Sequence, residues 1–428
     1  LVGGTARRAA RRTAPAVPAC VIGDADLVRC LGLAGIRSWV LSPPGAAARY
    51  SRFTRGSLAW RDPWEGPEAL VQELTEYASG QSEPPVLFYQ EDRSLLLVSR
   101  HREELRKLFR FVIADAELIE SLVDKERFVE LSRRLALPIP ATWSLPAVED
   151  VPLESMHIDY PVIVKPVTRR QDRWRPVAGE AKALRADNPA ELRLLWSRLA
   201  AAGTRVIVQA LVPGPETAIE SYHTYVDDRG NVVADFTGRK IRTRPPAFGD
   251  SSALEITDAG DVRALGQDIV KRMGLRGVAK LDFKRAPDGA LYLLEVNPRF
   301  TLWHHAGALA GVNIPALVHG DCVGRTRPAV PRARPGVRWC KVWTDRAAAR
   351  DEGIPFPRWL GWALRCEAKS AFAWDDPLPL LGAGLQRWLG RRRTNGSAGP
   401  KTSEQATRSG TADPGSAAAL HRPHGRST

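Results

Sequence analysis

Apolar residues recur along this chain in two rhythms. Short unbroken runs such as Ala19-Cys20-Val21-Ile22-Gly23, Ser38-Trp39-Val40-Leu41 and Pro85-Val86-Leu87-Phe88-Tyr89 have the length and makeup of buried strands. Asp26 to Leu33 has helical spacing, so the opening reads as a βαβ unit. Helical patterns follow at Glu104–Phe111 and Lys125–Leu135. From Tyr160 the rhythm changes. Pro161-Val162-Ile163-Val164-Lys165-Pro166 is a strand that carries a lysine into a proline-closed turn. A polar stretch from Thr168 to Ala186 precedes a helix at Pro189–Ala201 and a strand at Val206-Ile207-Val208-Gln209. Strands at Ala218–Val226 and Val232–Gly238 are expected to pair antiparallel through the Asp228-Arg229-Gly230 turn. A helix at Asp261–Met273 leads into strands Gly277–Lys284 and Leu291–Val296, joined through Pro287-Asp288-Gly289.

Composition narrows the function classes. Over 428 residues, 44% are hydrophobic and 26% charged, the balance of a folded globular chain. No apolar run approaches the roughly 18 residues of a membrane span, and no signal peptide is evident, so the sequence reads as cytoplasmic. The net charge of +14 invites a nucleic-acid reading, but its location argues against one. Arg7, Arg8, Arg11 and Arg12 carry +4 in a leader expected to be disordered, and the segment from Arg387 to the C-terminus carries +6. Only +4 remains for everything between, which is no basic binding face. No specific nucleic-acid partner is therefore expected. Cys20, Cys30, Cys322, Cys340 and Cys366 form no CxxC and read as reduced thiols. Only eleven of the 62 basic residues are lysine, so a lysine inside a buried-looking segment carries weight.

The chemistry concentrates in the last two strands. A period of two places Lys280, Asp282 and Lys284 on one face, and Glu295 with Asn297 on one face. If the strands pair, two carboxylates and an amide oxygen converge, an oxygen-only set that suits magnesium. Arg299 stands two residues further on, placed to hold negative charge on a transferred phosphoryl group. Spacing alone leaves open a second possibility, a hairpin with ordinary surface charges.

Leu294-Glu295-Val296-Asn297-Pro298-Arg299, the acid at Asp282 and Pro161–Pro166 together resemble the ATP-grasp superfamily. Within it the chain is similar to carboligases of the D-aspartate-ligase and carbamoyl-phosphate-synthase kind. Arg49-Tyr50-Ser51-Arg52, Asp124-Lys125-Glu126-Arg127-Phe128 and Leu137-Pro138-Ile139-Pro140 fit the same order, and the match runs from about residue 19 to about 325. The resemblance implies an α/β fold: a Rossmann-like pre-ATP-grasp domain, then a two-subdomain ATP-grasp α+β fold, with a C-terminal helical Trp-rich extension. The expected boundaries are a leader at 1–18, a pre-ATP-grasp domain at 19–120 and an ATP-grasp domain at 121–325 with its lid at about 160–212. The extension would occupy 326–390 and a disordered tail 391–428.

The resemblance also assigns roles. Lys125 and Lys165 would contact ATP phosphates. Gln209, Ala210, Leu211 and Val212 would form the hinge beside the adenine, with Glu216 near the ribose. Asp282, Glu295 and Asn297 would hold Mg2+, with Mn2+ as the alternative ion, and Arg299 would steady the transferred group. Lys240 and Arg242, in Gly238-Arg239-Lys240-Ile241-Arg242, would hold an acceptor carboxylate or phosphate. The usual glycine-rich phosphate lid is replaced by an arginine-rich stretch whose single glycine is Gly179, with Arg169, Arg170 and Lys182 as side-chain substitutes.

The implied activity is ATP- and magnesium-dependent joining of a small-molecule carboxylate to an amine (or thiol) through an acyl phosphate. The alternative is a catalytically silent ATP-binding regulatory or scaffold protein. His304-His305 with Cys322 lacks zinc spacing, and no Walker A, G-x-S-x-G or dinucleotide fingerprint is present. Six tryptophans fall in residues 337–390, with Trp359, Trp362, Ala363 and Cys366 on one helical face. Two readings stand for this Trp/Arg region: a cover packed across the catalytic domain, or a peripheral membrane contact. Oligomeric state is not legible.

Overall fold

The computed structural model describes residues 17–145, 153, 157–168, 171–179, 181–370, 372–380 and 382. The chain divides into residues 1–386 and 387–428, and the second unit lies outside the described residues. So do Arg169, Arg170, Trp388, the stretch 391–428 and all but the end of the expected leader.

Strands β1 (Ala19–Ile22), β2 (Ser38–Leu41), β3 (Thr54–Ser57) and β4 (Val86–Tyr89) form a parallel sheet in the order β3-β2-β1-β4. Every residue of β1 and β4 is buried, as parallel strands covered on both faces require. Helix Ala25–Leu33 follows β1, its N-terminus capped by the Asp24 side chain. Helix Asp92–Arg100 follows β4. Neighbouring strands lead away in opposite directions at the β1/β4 junction, the switch point where parallel sheets open a crevice. One expected helix is not formed. In place of Glu104–Phe111 there is a single turn, Arg102–Leu105, after which the chain extends and Arg110 bridges Val86. Buried Leu105 and Phe109 anchor the turn on either side, and strand-like pairing to Pro85 and Leu87 takes over the backbone.

A second sheet contains β5 (Thr142–Leu145), β6 (Val162–Pro166), β7 (Leu184–Ala186) and β8 (Val206–Ala210) in the antiparallel order β5-β8-β6-β7. Val162, Val164, Val206 and Val208 turn inward against Leu192, Trp196 and Leu199 of helix Pro189–Ala201. The alternate positions, Ile163, Lys165, Ile207 and Gln209, therefore face the other way. The polar stretch 168–186 supplies a helix, Gln171–Ala178, and β7, neither of which its composition announced.

The third sheet has seven strands: β9 (Ile219–Val226), β10 (Val232–Arg244), β11 (Asp250–Thr257), β12 (Gly277–Arg285), β13 (Leu291–Asn297), β14 (Arg338–Cys340) and β15 (Ala368–Lys369). Their order is β13-β12-β9-β10-β11-β14-β15. On one face Tyr222, Leu281, Phe283 and Leu293 pack against Val262 and Ile269 of helix Gly260–Arg272. On the other, Tyr225, Phe236, Leu254 and Val278 share a core with Phe88 of β4, Phe300 and Trp303. The first sheet and the third are thus joined by one apolar interior.

Residues after β14 are tied down by buried carboxylates. Asp345 on helix Val342–Asp351 is fully buried and accepts from Arg242 Nε and Nη2 at 2.8 Å each, from Ser252 Oγ at 3.0 Å and from Trp359 Nε1 at 2.8 Å. Asp376 accepts from Arg29 Nε at 3.1 Å, Ser51 Oγ at 2.7 Å and Arg52 N at 2.7 Å, which fastens the segment to the first sheet's helices. No helix among the described residues is long and apolar enough to cross a membrane.

Replacing Asp345 by Ala strands a buried guanidinium, a hydroxyl and an indole N–H together. Urea denaturation is expected to show a loss of about 3–5 kcal/mol. A loss of only a few tenths of that size would show that Asp345 does not hold the helix to the sheet.

Candidate functional site

The site is assembled on the face of β12 that alternation leaves polar. Ala279, Leu281 and Phe283 are buried in the helix-covered core, so Lys280, Asp282 and Lys284 point the opposite way, about 6.8 Å apart from one to the next. Asp282 stands directly opposite Glu295 of β13, and Lys280 opposite Asn297. The two carboxylates therefore stand opposite each other, with Asn297 on the same face. Lys280 Nζ lies 2.6 Å from Asp282 Oδ2, while Asp282 Oδ1 is buried and has no hydrogen-bond partner. Burial pushes the Asp282 carboxyl above its ordinary range, and Glu295 adds to this against the opposing pull of Lys280. Burial likewise pushes the Lys280 ammonium down.

Asn297 donates from Nδ2 to Glu295 Oε1 at 3.1 Å and accepts at Oδ1 from Arg299 Nη2 at 3.1 Å. Turning that amide over would present its oxygen to the carboxylates. Arg299 also donates through Nε to Asp92 and through Nη1 to the Gln90 carbonyl at 3.0 Å. These partners stand at the mouth of the β1/β4 crevice, where Gln90 Oε1 accepts from Asp24 N at 2.8 Å. Arg299 is thus a clamp between the end of β13 and the end of β4.

An acid pair with one orphaned buried oxygen fits a divalent cation. Among the described residues no cluster of three or more acidic, imidazole or thiol groups is formed, which argues against a self-sufficient metal cage. Two carboxylates and an amide match an ion that completes its shell with water and phosphate oxygens. The floor beneath is apolar and neutral. His223 stacks on Phe236 at 4.4 Å between ring centres, and burial holds both His223 and His304 well below the ordinary imidazole range. Trp303 underlies Lys280, whose ammonium is 5.2 Å from the ring centre.

The remaining expected residues fall in three groups. Lys165 and Gln209 meet on the outer face of the second sheet, Nζ to Oε1 at 2.8 Å, and Gln209 Nε2 donates to Thr142 Oγ1 at 2.9 Å. Lys125 caps the end of β6, donating to the Pro166 carbonyl at 2.6 Å. Ala210, Leu211 and Val212 continue β8 into Gly214, whose φ of 106° only glycine adopts readily, and the chain then enters β9. Glu216 lies in that connection, with Oε1 3.6 Å from the buried Lys284 ammonium. The hinge segment thereby reaches the charged face of β12.

Lys240 lies on β10 near Lys280 and Asp282, close enough for its charge to act on both. One expectation needs correction. Arg242 is engaged internally: Asp345 takes it in a two-pronged pair, and its guanidinium lies 4.1 Å from the Trp362 ring centre. It is a structural tie, with no free fork for an acceptor. Lys182 pairs with Asp250 at the start of β11, so it links the second sheet to the third across the mouth. Lys280, Lys284, Asp92 and Gln90 were not assigned from sequence. Alternation marked the two lysines, but nothing local marked the other two.

An open groove of about 670 Å³ borders the same sheet, lined in part by Glu220, Arg239 and Arg285. Register puts those side chains on the face opposite Asp282, and they pair internally, Arg285 with Glu220 at 2.6 Å and Arg239 with Glu255 at 2.9 Å.

Residues 204–344, which contain the β12/β13 pair and Lys240, match the family described as ATP-grasp in the biosynthetic pathway with Ter operon. The chain has a mixed α/β fold that matches solved ATP-grasp structures. It is similar to the D-aspartate ligase of Enterococcus faecium, 26% identical over 267 residues, covering 60% of this chain and 63% of that enzyme. Less than two thirds of that relative's length is therefore spanned. Biotin carboxylase from Campylobacter jejuni superposes with a TM-score of 0.58 at 15% identity, covering 75% of this chain and 74% of that one. The L-amino acid ligase of Bacillus licheniformis superposes at 0.54 and 16% identity, covering 72% and 75%.

The chain keeps glycine at position 238 because the sheet is closed over there. A Cβ on Gly238 would approach the Trp303 ring to 2.7 Å and the Glu255 carbonyl to 2.9 Å. Gly238→Ala is expected to cost about 1–3 kcal/mol in urea titration. An unchanged midpoint would show that Trp303 moves freely, and that the floor beneath Lys280 is loosely packed.

Proposed function

We propose that this chain is an ATP- and magnesium-dependent ligase that joins a carboxylate to an amine through an acyl phosphate. The observation that carries the reading is the opposed Asp282–Glu295 pair with its unpartnered buried oxygen, set beside Lys280. Its sequence relatives include a D-aspartate ligase, and its structural neighbours an L-amino acid ligase, which puts amino acids first among the substrates to screen.

In this reading a carboxylate oxygen attacks the γ-phosphorus of ATP, the bond to the β,γ-bridging oxygen breaks, and ADP leaves. The amine nitrogen then attacks the acyl carbon, inorganic phosphate departs, and the nitrogen loses a proton. Lys125 and Lys165 hold phosphate oxygens, backbone groups of Gln209 to Val212 read the adenine, and Glu216 positions the ribose. Asp282, Glu295 and the turned amide of Asn297 hold magnesium, which supplies charge neutralisation at the phosphates when bound. Lys240 and Lys280 lie where negative charge builds on the transferred group, and Arg299 steadies that group while keeping β13 and the β1/β4 crevice in one alignment. Rate enhancement comes from positioning and fixed charge.

The test is ADP release with magnesium and pairs of amino acids, alongside thermal denaturation with Mg-ATP. At about a hundred times the dissociation constant, Mg-ATP is expected to add roughly 2.7 kcal/mol to the folded state. Glu295→Gln is expected to lose that shift and to lower turnover by about 10²-fold or more. A shift that persists in Glu295→Gln would move the metal elsewhere. A normal shift with no ADP release for any pair would favour a silent ATP-binding protein.

A further inference from the structure

The polar face of β12 carries two lysines, and only one of them is matched. Lys280 has Asp282 Oδ2 at 2.6 Å, a full hydrogen bond. Lys284 is only 5% exposed, and its partner is Glu216 Oε1 at 3.6 Å, an ion pair too long for a hydrogen bond. An ammonium has three donors, yet Lys284 makes no hydrogen bond among the described residues. Arg285, next along the strand and on its other face, is fully engaged by comparison, with Glu220 at 2.6 Å and Asp261 at 2.7 Å.

Register sets the surroundings of Lys284. It stands opposite Ile219 of β9 and Tyr292 of β13. Ile219 is buried, so an aliphatic side chain at position 284 would pack there without the cost of covering a charge. Apolar replacements for a buried ion pair are often neutral or stabilising, so packing alone does not account for this lysine. Glu216 lies where the hinge segment enters β9, and its side chain is still 19% exposed. The pair therefore offers an anionic acceptor and a cationic donor side by side, too far apart to satisfy each other. A hydroxyl both donates and accepts, so two neighbouring sugar hydroxyls would complete both groups.

We propose that Lys284 and Glu216 together read the two neighbouring hydroxyls of a nucleotide's ribose, with Glu216 accepting and Lys284 donating. Lys284 is then a determinant of sugar specificity. Such a role rests on the nucleotide reading above, and adds to it a donor from the strand that carries Asp282. Metal contact and sugar contact come from positions about 6.8 Å apart on one strand, so the register that places Asp282 also places Lys284.

The test is titration calorimetry of the full chain with Mg-ATP and with the magnesium complex of 2′,3′-dideoxy-ATP, which lacks both hydroxyls. The wild type is expected to bind Mg-ATP more tightly by roughly tenfold or more, the size of hydrogen bonds to charged groups. Lys284→Met is expected to bring the two nucleotides within about threefold of each other. Glu216→Gln/Lys284→Met removes both charges, leaves neither uncompensated, and is expected to give the same ratio as Lys284→Met. A preference that Lys284→Met leaves intact overturns the proposal, as does a loss of affinity that falls equally on both nucleotides. No heat from Mg-ATP in the wild type would overturn the nucleotide reading itself, whereas nucleotide binding blind to the sugar would overturn only the role of Lys284.

Discussion

Asp282 and Glu295 face each other across neighbouring strands at a point where Asp282 has almost no contact with water. Two like charges this close repel, and Asp282 also lacks its hydration. Such a pair persists only where positive charge is supplied, and the surrounding fold is arranged to supply it. Lys280 bonds Asp282 from the same strand, Lys240 stands on β10, and Lys284 occupies the next polar position toward the hinge. One oxygen of Asp282 is still unpartnered, which is why the pair is proposed to take a divalent ion. The arrangement depends on register. A slip of one residue in β12 would send Leu281 and Phe283 into the charged strip and bury Asp282 against helix Gly260–Arg272. The apolar alternation that packs one face thus locates the chemistry on the other.

Buried carboxylates also join distant parts of the chain. Asp26 accepts from Trp339 Nε1 at 2.9 Å and pairs with His305 at 2.8 Å, linking the first helix to the third sheet. Asp345 holds the helices after β14 against β10 and β11, and Asp376 holds the segment that follows against Arg29, Ser51 and Arg52 beside the first sheet. Each has several specific donors, so only one docking geometry satisfies it. Buried ion pairs of this kind contribute less net stability than an apolar contact of equal size, but a misdocked arrangement leaves a charge uncompensated. Residues 338–376 therefore act as a strap that sets how the first and third sheets meet. Arg299 does the same at the mouth of the site, where its partners Asp92 and Gln90 come from the opposite side of the crevice.

Much of the architecture was legible because it is local. The β12/β13 pair is contiguous in sequence through Pro287-Asp288-Gly289, so period-two alternation was enough to place Asp282 near Glu295. β6 and β8 were visible as valine-rich runs, and helix Lys125–Arg134 as a helical pattern over 125–135. The turn at Arg102–Leu105 was misread as a longer helix because what ends it, pairing of Arg110 with residues 85–87, is a tertiary contact. The polar stretch 168–186 concealed a helix and a strand for a related reason: buried Trp174 and Ala186 are held by a core built mainly from residues elsewhere in the chain.

The sequence by itself determined which residues alternate, and that an acid, an acid and an amide lie within reach of one another. Tertiary structure alone decided which charges are available. Arg242 and Lys240 look equivalent two positions apart on one strand, yet Asp345, 103 residues away, occupies Arg242 and leaves Lys240 facing the acid pair. Arg299 meets Asp92 across 207 residues, and Lys182 meets Asp250 across 68. A side chain's role depends on what closes over it, and ion pairing acts through space between groups whose separation along the chain carries no local signal. Periodicity sets the face a residue points to, and only the folded chain sets the partner waiting there.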